Sequence, residues 1–420
     1  MKVLVVGGGG REHAIVWKLS QSKRNLTLFC APGNAGIASI ATCVPIRATD
    51  LEGMLAFVKK ESIDLVFVAP DDPLALGMVN IMQDAGVKAF GPSKEAAVIE
   101  ASKSFSKNLM EKYNIPTAKY QVFTNDNEAF RYIDQMLTAP IVIKADGLAL
   151  GKGVIIADTK DEAKIAVRQM LSDGAFGNAG KTVVIEKFLT GKELTVLAFT
   201  DGKTVVPMMN SRDHKKALDS DKGLNTGGMG AICPGENLSK ETTDLLLQTI
   251  FIPTIKAMEL EGRPFVGVIY FGLMLTSDGP KVIEYNARFG DPETQAILPL
   301  LETDLMDIID AVLDGRLDEL DIVWKNASSC CVVMASGGYP GKCETGFPIE
   351  GLDKPDCYVF HAGTVFSDDK EKKVLTNGGR VLGVTAVSEN LSDAIDIAYE
   401  NVKKICFKNA HYRNDIGRTS

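Results

Sequence analysis

Short apolar runs and amphipathic stretches alternate along the first hundred residues. Val3–Val6 is an apolar run of strand length, Glu12–Gln21 reads as a helix, and Thr27–Cys30 as a second strand. Thr49-x-x-Glu52 has the spacing of a capping box, and Leu51, Met54, Leu55 and Val58 follow at helical intervals. Ile63–Ala69 is a third apolar strand. Apolar strands alternating with helices predict a small doubly wound parallel sheet, whose strands are covered on both faces. Gly91-Pro92-Ser93 closes this unit and opens a helix that reaches about Tyr113.

Residues from about 118 to 190 form a second α/β segment. Its strands are Ile141–Lys144, Val154–Ala157 and Val183–Glu186, with a helix after the capping box Thr159-x-x-Glu162. A larger mixed segment runs to about 325, with strands near Leu194–Phe199, Val205–Met208, Val266–Thr276 and Val282–Tyr285. Between them, Asp219–Gly235 is rich in glycine and charge and reads as a mobile loop. Beyond 325 the chain is strand-rich, as in Cys330–Ala335, Tyr358–Phe360 and Val381–Val387, and carries few candidate catalytic groups. The expected fold class is therefore multi-domain α/β. Its units are residues 1–100, residues 101–325 with a mobile lobe at about 118–190, and residues 326–420.

Composition narrows the function. A net charge of −8 leaves no basic surplus to neutralise phosphates, so no nucleic-acid partner is expected. No run of about 18 apolar residues is present, so no membrane span is expected either. The chain enters its first strand without a basic region or small-residue cleavage site, so no signal peptide is read. The eight cysteines are scattered, without a Cys-x-x-Cys pair, and read as buried free thiols of a reducing cytoplasm.

The segment with most chemistry is Lys281–Gln295. Glu284 and Asn286 sit two apart on a strand and share a face, a hard-oxygen pair suited to Mg²⁺. Arg288 continues that parity as a fixed cation. Asp291-Pro292 reads as an N-cap followed by proline at the first helical position.

Two glycine loops accompany it. Gly7-Gly-Gly-Gly10 lies between a strand and a helix, where phosphates bind. It fails the dinucleotide pattern, because the last required glycine is Glu12 and the second strand ends at Cys30 without an acidic residue. A phosphate monoester on a small substrate fits it better, with Asn34 and Asp71-Asp72 at neighbouring strand ends. The second loop, Gly147–Gly153, joins two strands and reads as a flap, with Gly151 and Gly153 in it and Lys144 at its base. Glu186-Lys-Phe188-Leu189 ends a strand as a hinge whose backbone can read an adenine edge, and Glu193 follows within reach of ribose hydroxyls.

Taken in order, Lys103, Lys144 with its flap, the Glu186 hinge with Glu193, and Glu284-x-Asn286 resemble an ATP-grasp site. Gly8–Ala14, Ala31–Gly36, Ile141–Val154, Asn225–Ala231, Arg288–Gln295, Gly337–Gly341 and Asn377–Arg380 together resemble the phosphoribosylamine–glycine ligase family over essentially the full length. The resemblance implies an N-terminal phosphoribosylamine domain, a central two-lobed ATP-grasp fold and a small C-terminal domain. It implies ATP-dependent joining of glycine to 5-phosphoribosylamine through glycyl phosphate, with ATP and Mg²⁺ (or Mn²⁺) as cofactors. Lys103 and Lys144 would hold the α- and β-phosphates, and Arg288 the γ-phosphate and the acyl phosphate. Substrate contacts would fall on Gly9, Gly10, Asn34, Asp72, Asp213 and Asp291. A cytoplasmic monomer is expected, with transient contact to the preceding enzyme of purine synthesis.

The chain departs from the family pattern in places. Asp72 replaces a glutamate, Leu224 a proline, and Lys187 a frequent second glutamate. The strand before the metal pair reads Gly272-Leu-Met-Leu275 and offers no further carboxylate. Two competing readings are an ATP-grasp carboxylase of the same pathway and a nucleotide-binding regulator that has lost catalysis. His13, His214 and an Asp213–Lys215 pair also have purely structural readings.

Overall fold

The computed structural model describes residues 1–135, 138–148, 153–173 and 177–418. Among these, the N-terminal strands form one five-stranded parallel sheet. Lys2–Gly7 lies at its centre, between Thr27–Pro32 on one side and Leu65–Val68 on the other. Thr42–Cys43 and Lys88–Phe90 are the edges. This is the doubly wound arrangement the alternation predicts. It places the end of the first strand and the start of helix Gly10–Ser20 at the switch point, where such sheets bind ligands.

The helix after Lys88–Phe90 is not continuous. It runs as Lys94–Ala101 and Lys103–Lys112, broken at an extended Ser102 whose hydroxyl caps the second piece at Phe105 N. The first capping box is also corrected. Asp50, not Thr49, caps helix Leu51–Glu61: it directly precedes the helix, and its carboxylate accepts from Gly53 N at 2.9 Å. At the second, the Thr159 hydroxyl caps as expected, accepting from Glu162 N, but the Glu162 carboxylate accepts from Asp158 N rather than Thr159 N, so the box is not closed.

Residues 118–190 build a four-stranded antiparallel sheet. In order its strands are Tyr120–Phe123, Val183–Lys187, Ile141–Ala145 and Val154–Ala157, backed by helices Asp126–Gln135 and Lys160–Leu171. A second four-stranded sheet runs Val205–Pro207, Lys192–Asp201, Val266–Thr276, Gly279–Asn286. The cleft between these two sheets is the feature that positions the site.

Asp219–Gly235 is structured rather than a free loop. Lys222–Asn225 pairs with Lys216–Leu218, and Gly230–Cys233 is fully buried against Ser328–Ala335. The C-terminal sheet thus takes two strands, Arg212–Asp213 and Gly230–Cys233, from the central segment. The buried Arg413 clamps this region from the chain's far end, through Asp221, Asp415 and the Lys216 carbonyl. Four cysteines are buried, but Cys406 is exposed, so the thiols are not uniformly interior. No described helix is long and apolar enough to cross a membrane.

Candidate active site

A cleft of about 670 Å³ lies between the two central sheets and brings most of the predicted residues together. Glu284 and Asn286 both line it from the end of strand Gly279–Asn286. Gly272 stands opposite Glu284, and a Cβ there would lie 3.0 Å from Glu284 Cγ, so the glycine leaves the carboxylate its room. Lys215 Nζ is 3.1 Å from Glu284 Oε1. That ammonium, ahead of Lys144 and Lys103 and against the effect of burial, holds the Glu284 carboxyl down at about 2. Lys215 is pushed up in return, mainly by Glu284. Asp213 therefore does not take Lys215 as its direct partner.

The lysines are anchored by a buried carboxylate. Glu186 sits between Lys144, at 2.9 Å, and Lys107, at 2.8 Å, and all three side chains are at most 4% exposed. Lys144 also donates to the Ile283 carbonyl at 3.0 Å, joining the small lobe to strand Gly279–Asn286. Burial would raise Glu186, yet the two ammonium groups outweigh it and keep the carboxyl below its ordinary range. Burial lowers Lys107 to about 8. Lys103, also lowered by burial, donates to the Gly147 carbonyl at 3.0 Å, at the base of the flap. Asp146 fixes the same corner, accepting from Ser104 N at 2.5 Å. Gly153 lines the cleft; Gly151 lies outside the described residues. At the other end, Phe188, Leu189 and the exposed Glu193 line the wall after the Val183–Lys187 strand.

Arg288 lies beyond the strand end, so strand parity does not place it; Glu100 does. Glu100 Oε1 is 3.0 Å from Arg288 Nη2, and Glu100 Oε2 accepts from Ala287 N at 2.7 Å. Burial opposes the guanidinium charge, but Glu100 and Asp71 raise its pKa. Its Nε is buried without a hydrogen-bond partner among the described residues. Beside it, the Asp213 and Glu293 carboxyls are both raised by burial, Asp213 also by Glu293, and Asp213 Oδ1 has no hydrogen-bond partner among the described residues.

Asp291 is not a helix cap. The short helix Glu293–Ile297 has Pro292 at its cap position, and the Asp291 carboxylate is engaged by Arg380 at 3.0 Å and Gln295 at 2.7 Å. Burial notwithstanding, Arg380 and Arg11 keep it below its ordinary range. The N-terminal loop abuts this point, since a Cβ on Gly9 would lie 3.6 Å from Asp291 Oδ2. Arg11 reinforces the junction by donating to the Phe289 carbonyl at 3.1 Å.

Other predicted residues sit apart from the cleft wall. The Asn34 amide is fully used in the protein. It donates to the carbonyls of Gly8 and His361 and accepts from Gly36 N and Ile37 N, so it shapes the N-terminal loop. A Cβ on Gly10 would strike Gln295 Nε2, which keeps the helix start against the Arg288–Gln295 segment. Asp72 is exposed, and its neighbour Asp71 lines the cleft instead. His13 and His214 are buried and lowered by burial to about 3 and about 4, neutral groups of a structural kind. Lys187 and Leu224, two of the departures, are exposed.

Sequence reasoning missed Glu100, Lys107, Lys215, Glu293 and Arg380. Lys107 lies one helical turn after Lys103, so periodicity alone pointed to it. Glu293 and Arg380 stood inside quoted motifs without a role of their own, Lys215 was weighed only as a partner of Asp213, and Glu100 had no local signal.

Three family models match successive parts of the chain: the phosphoribosylglycinamide synthetase N domain over residues 1–100, its ATP-grasp (A) domain over 101–294, and its C domain over 329–419. The chain is 48% identical over 417 residues to a phosphoribosylamine–glycine ligase of Caldanaerobacter subterraneus, covering 99% of each. It is 48% identical over 419 residues to one of Halalkalibacterium halodurans, covering 99% of this chain and 96% of that one. Among solved structures it resembles a phosphoribosylamine–glycine ligase of Thermotoga maritima, with a TM-score of 0.86, 34% identity, and 99% and 100% of the two chains covered. The biotin carboxylase domain of a Hydrogenobacter thermophilus 2-oxoglutarate carboxylase shares the fold at 15% identity, with a TM-score of 0.74 over 98% and 91% of the chains.

Proposed function

The chain belongs to the phosphoribosylglycinamide synthetase family, and from that premise we propose how its residues divide the reaction. The protein is a phosphoribosylamine–glycine ligase of purine biosynthesis, joining glycine to 5-phosphoribosylamine with conversion of ATP to ADP and phosphate. The observation that carries the residue assignment is the junction at Asp291. There the N-terminal loop abuts, at Gly9, the cleft wall that Arg288, Asp291 and the lysines line.

A carboxylate is a poor electrophile until one of its oxygens becomes a leaving phosphate. Transfer of the γ-phosphoryl group to glycine needs positioning and charge neutralisation rather than acid–base chemistry. Lys103, Lys144 and Lys215 supply positive charge along the phosphate path. Glu284 and Asn286 fit Mg²⁺ or Mn²⁺, being two hard oxygen donors on one wall, with glycine opposite the carboxylate. Such an ion would screen the phosphate oxygens. Phe188, Leu189 and Glu193 take the adenosine end.

Asp213 and Glu293 are buried acids short of a cation, and the ammonium of glycine supplies one. Its carboxylate then points to the unpartnered Nε of Arg288. Glycyl phosphate forms there. The phosphoribosylamine nitrogen, held near Gly9, Gly10 and Asp291, attacks its carbonyl carbon. The C–N bond forms as the C–O bond to phosphate breaks, and the proton lost by nitrogen matches the one the departing phosphate takes up. Domain limits near 100 and 325, with a closing lobe at 118–190, follow the same reading.

The test is ADP release by the purified protein, which should require both glycine and phosphoribosylamine. Equal release without glycine, or release only with bicarbonate, would replace the ligase reading by a carboxylase one.

A further inference from the structure

The Asn377-Gly-Gly-Arg380 motif has no part in the division of labour above, yet its arginine leaves the C-terminal sheet and enters the site. Arg380 opens strand Arg380–Ser388. Its Nη1 donates to the carbonyls of Gly227, at 2.6 Å, and Asp291, at 2.7 Å, and its Nη2 lies 3.0 Å from Asp291 Oδ2. The opposite side of the Gly227 residue is also held from the C-terminal domain, because Gly227 N donates to the Tyr339 hydroxyl at 2.9 Å. The Tyr339 ring packs so closely under Gly379 that a Cβ there would strike it.

The next residue, Gly228, has φ +110°, and a Cβ on it would lie 2.6 Å from Asp213 Oδ1 and would strike Pro292 Cδ. The gripped turn is therefore the spacer between Asp213 and the Asp291-Pro292 peptide. With Gln295 on Oδ1 and Arg380 on Oδ2, the Asp291 carboxylate has one orientation, beside Gly9 of the N-terminal loop. The ATP end is anchored otherwise, through Glu186, the Gly147 carbonyl and the Ile283 carbonyl.

We infer that Arg380 is a positioning residue by which the C-terminal domain sets Asp291 and the Gly227–Gly228 turn for attack of the amine, leaving phosphoryl transfer to the rest of the cleft. This rests on the ligase reading. A planar fork that binds two carbonyls and a carboxylate at once has no equivalent in a lysine, whose ammonium is a single point charge. The clamp thus has two testable properties: it acts on one half-reaction, and it needs the guanidinium.

The experiment uses the full chain, wild type against Arg380→Met and Arg380→Lys, with folding verified by thermal melting. Glycyl phosphate formation is read by positional isotope exchange in ATP carrying labelled bridge oxygen. Glycine is present, with ribose 5-phosphate as a partner lacking the amine. Ligation is read as glycinamide ribonucleotide formed with phosphoribosylamine. We expect exchange within about 3-fold of wild type in both variants, ligation down about 10²-fold in Arg380→Met, and recovery of less than about a tenth of wild-type ligation in Arg380→Lys. Exchange and ligation falling in step in a folded variant would overturn the inference, as would full ligation by Arg380→Lys. If Arg380→Met does not fold, Arg380→Lys carries the same comparison. A wild type without glycine-dependent exchange would remove the ligase reading, and this inference with it.

Discussion

The small lobe at 118–190 and the body around it are held together by different forces. The lobe has its own apolar core, drawn only from residues between Ala129 and Ile185. The body does not divide this way. One of its cores runs from Val3 and Phe67 through Phe199 and Ile309 to Phe360, and a second joins Leu4 and Val66 to Phe271 and Tyr285. The lobe meets the body at the cleft through polar groups: Lys107 on Glu186, Lys144 on the Ile283 carbonyl, Lys103 on Gly147, Ser104 on Asp146. A continuous apolar core resists sliding, because every displacement opens voids. Ion pairs at a cleft re-form readily on an incoming phosphate, so on the function proposed above the lobe is the part that closes on ATP and the body the part that keeps the reacting groups in place.

The largest effect should come from the body. Arg288→Ala removes the guanidinium that Glu100 holds in place, and kcat should fall by about 10² or more, with the KM for ATP much less affected. Wild-type turnover would move the reacting centre off the rigid side. Next comes the seam itself. Glu186→Ala leaves two buried ammonium groups facing each other and should destabilise the protein by about 3–5 kcal/mol, read as a lower urea midpoint. Unchanged stability would mean that the lobe is not seated by charge.

A pH series sharpens the same contrast. The folded Glu284 carboxyl lies at about 2 against an ordinary 4.5, so its stabilising contribution is whole above pH 4.5 and is lost as pH falls through about 2. Glu284→Gln should flatten that acid limb of the urea midpoint, and an equally steep limb would assign it elsewhere. The smallest test pairs two fully buried isoleucines, Ile143 in the lobe and Ile309 in the body. Ile→Val should cost about 1 kcal/mol at either place. At Ile143 the loss should appear as faster hydrogen exchange confined to 118–190, at Ile309 as a lower global melting temperature. Global loss from both would erase the distinction between the two cores.

Much of this architecture is legible in the amino-acid sequence. The parallel sheet follows from Val3–Val6 and Ile63–Ala69, whose apolar character on both faces admits few other surroundings. Glu284 and Asn286 are legible because two residues apart on a strand is a geometric statement. Other readings fail where a second local rule competes. Asp50 displaces Thr49 as a cap by directly preceding the helix, and Asp291 is drawn from the cap role by Arg380 and Gln295. Asp219–Gly235 reads as a loop because its composition is that of one. Its order comes from Ser328–Ala335 and Arg413, residues it cannot announce.

By itself the sequence determined most of the elements, the glycine turn after the first strand, the shared face of Glu284 and Asn286, and the family, all of which depend on neighbours within a few positions or on whole-chain likeness. Only the tertiary structure decided which charges meet: Glu100 with Arg288, Lys107 with Glu186, Lys215 with Glu284, Arg380 with Asp291. The reason is the range of the information. Periodicity and capping act over one or two turns, whereas a buried ion pair forms between residues that packing brings together from distant parts of the chain.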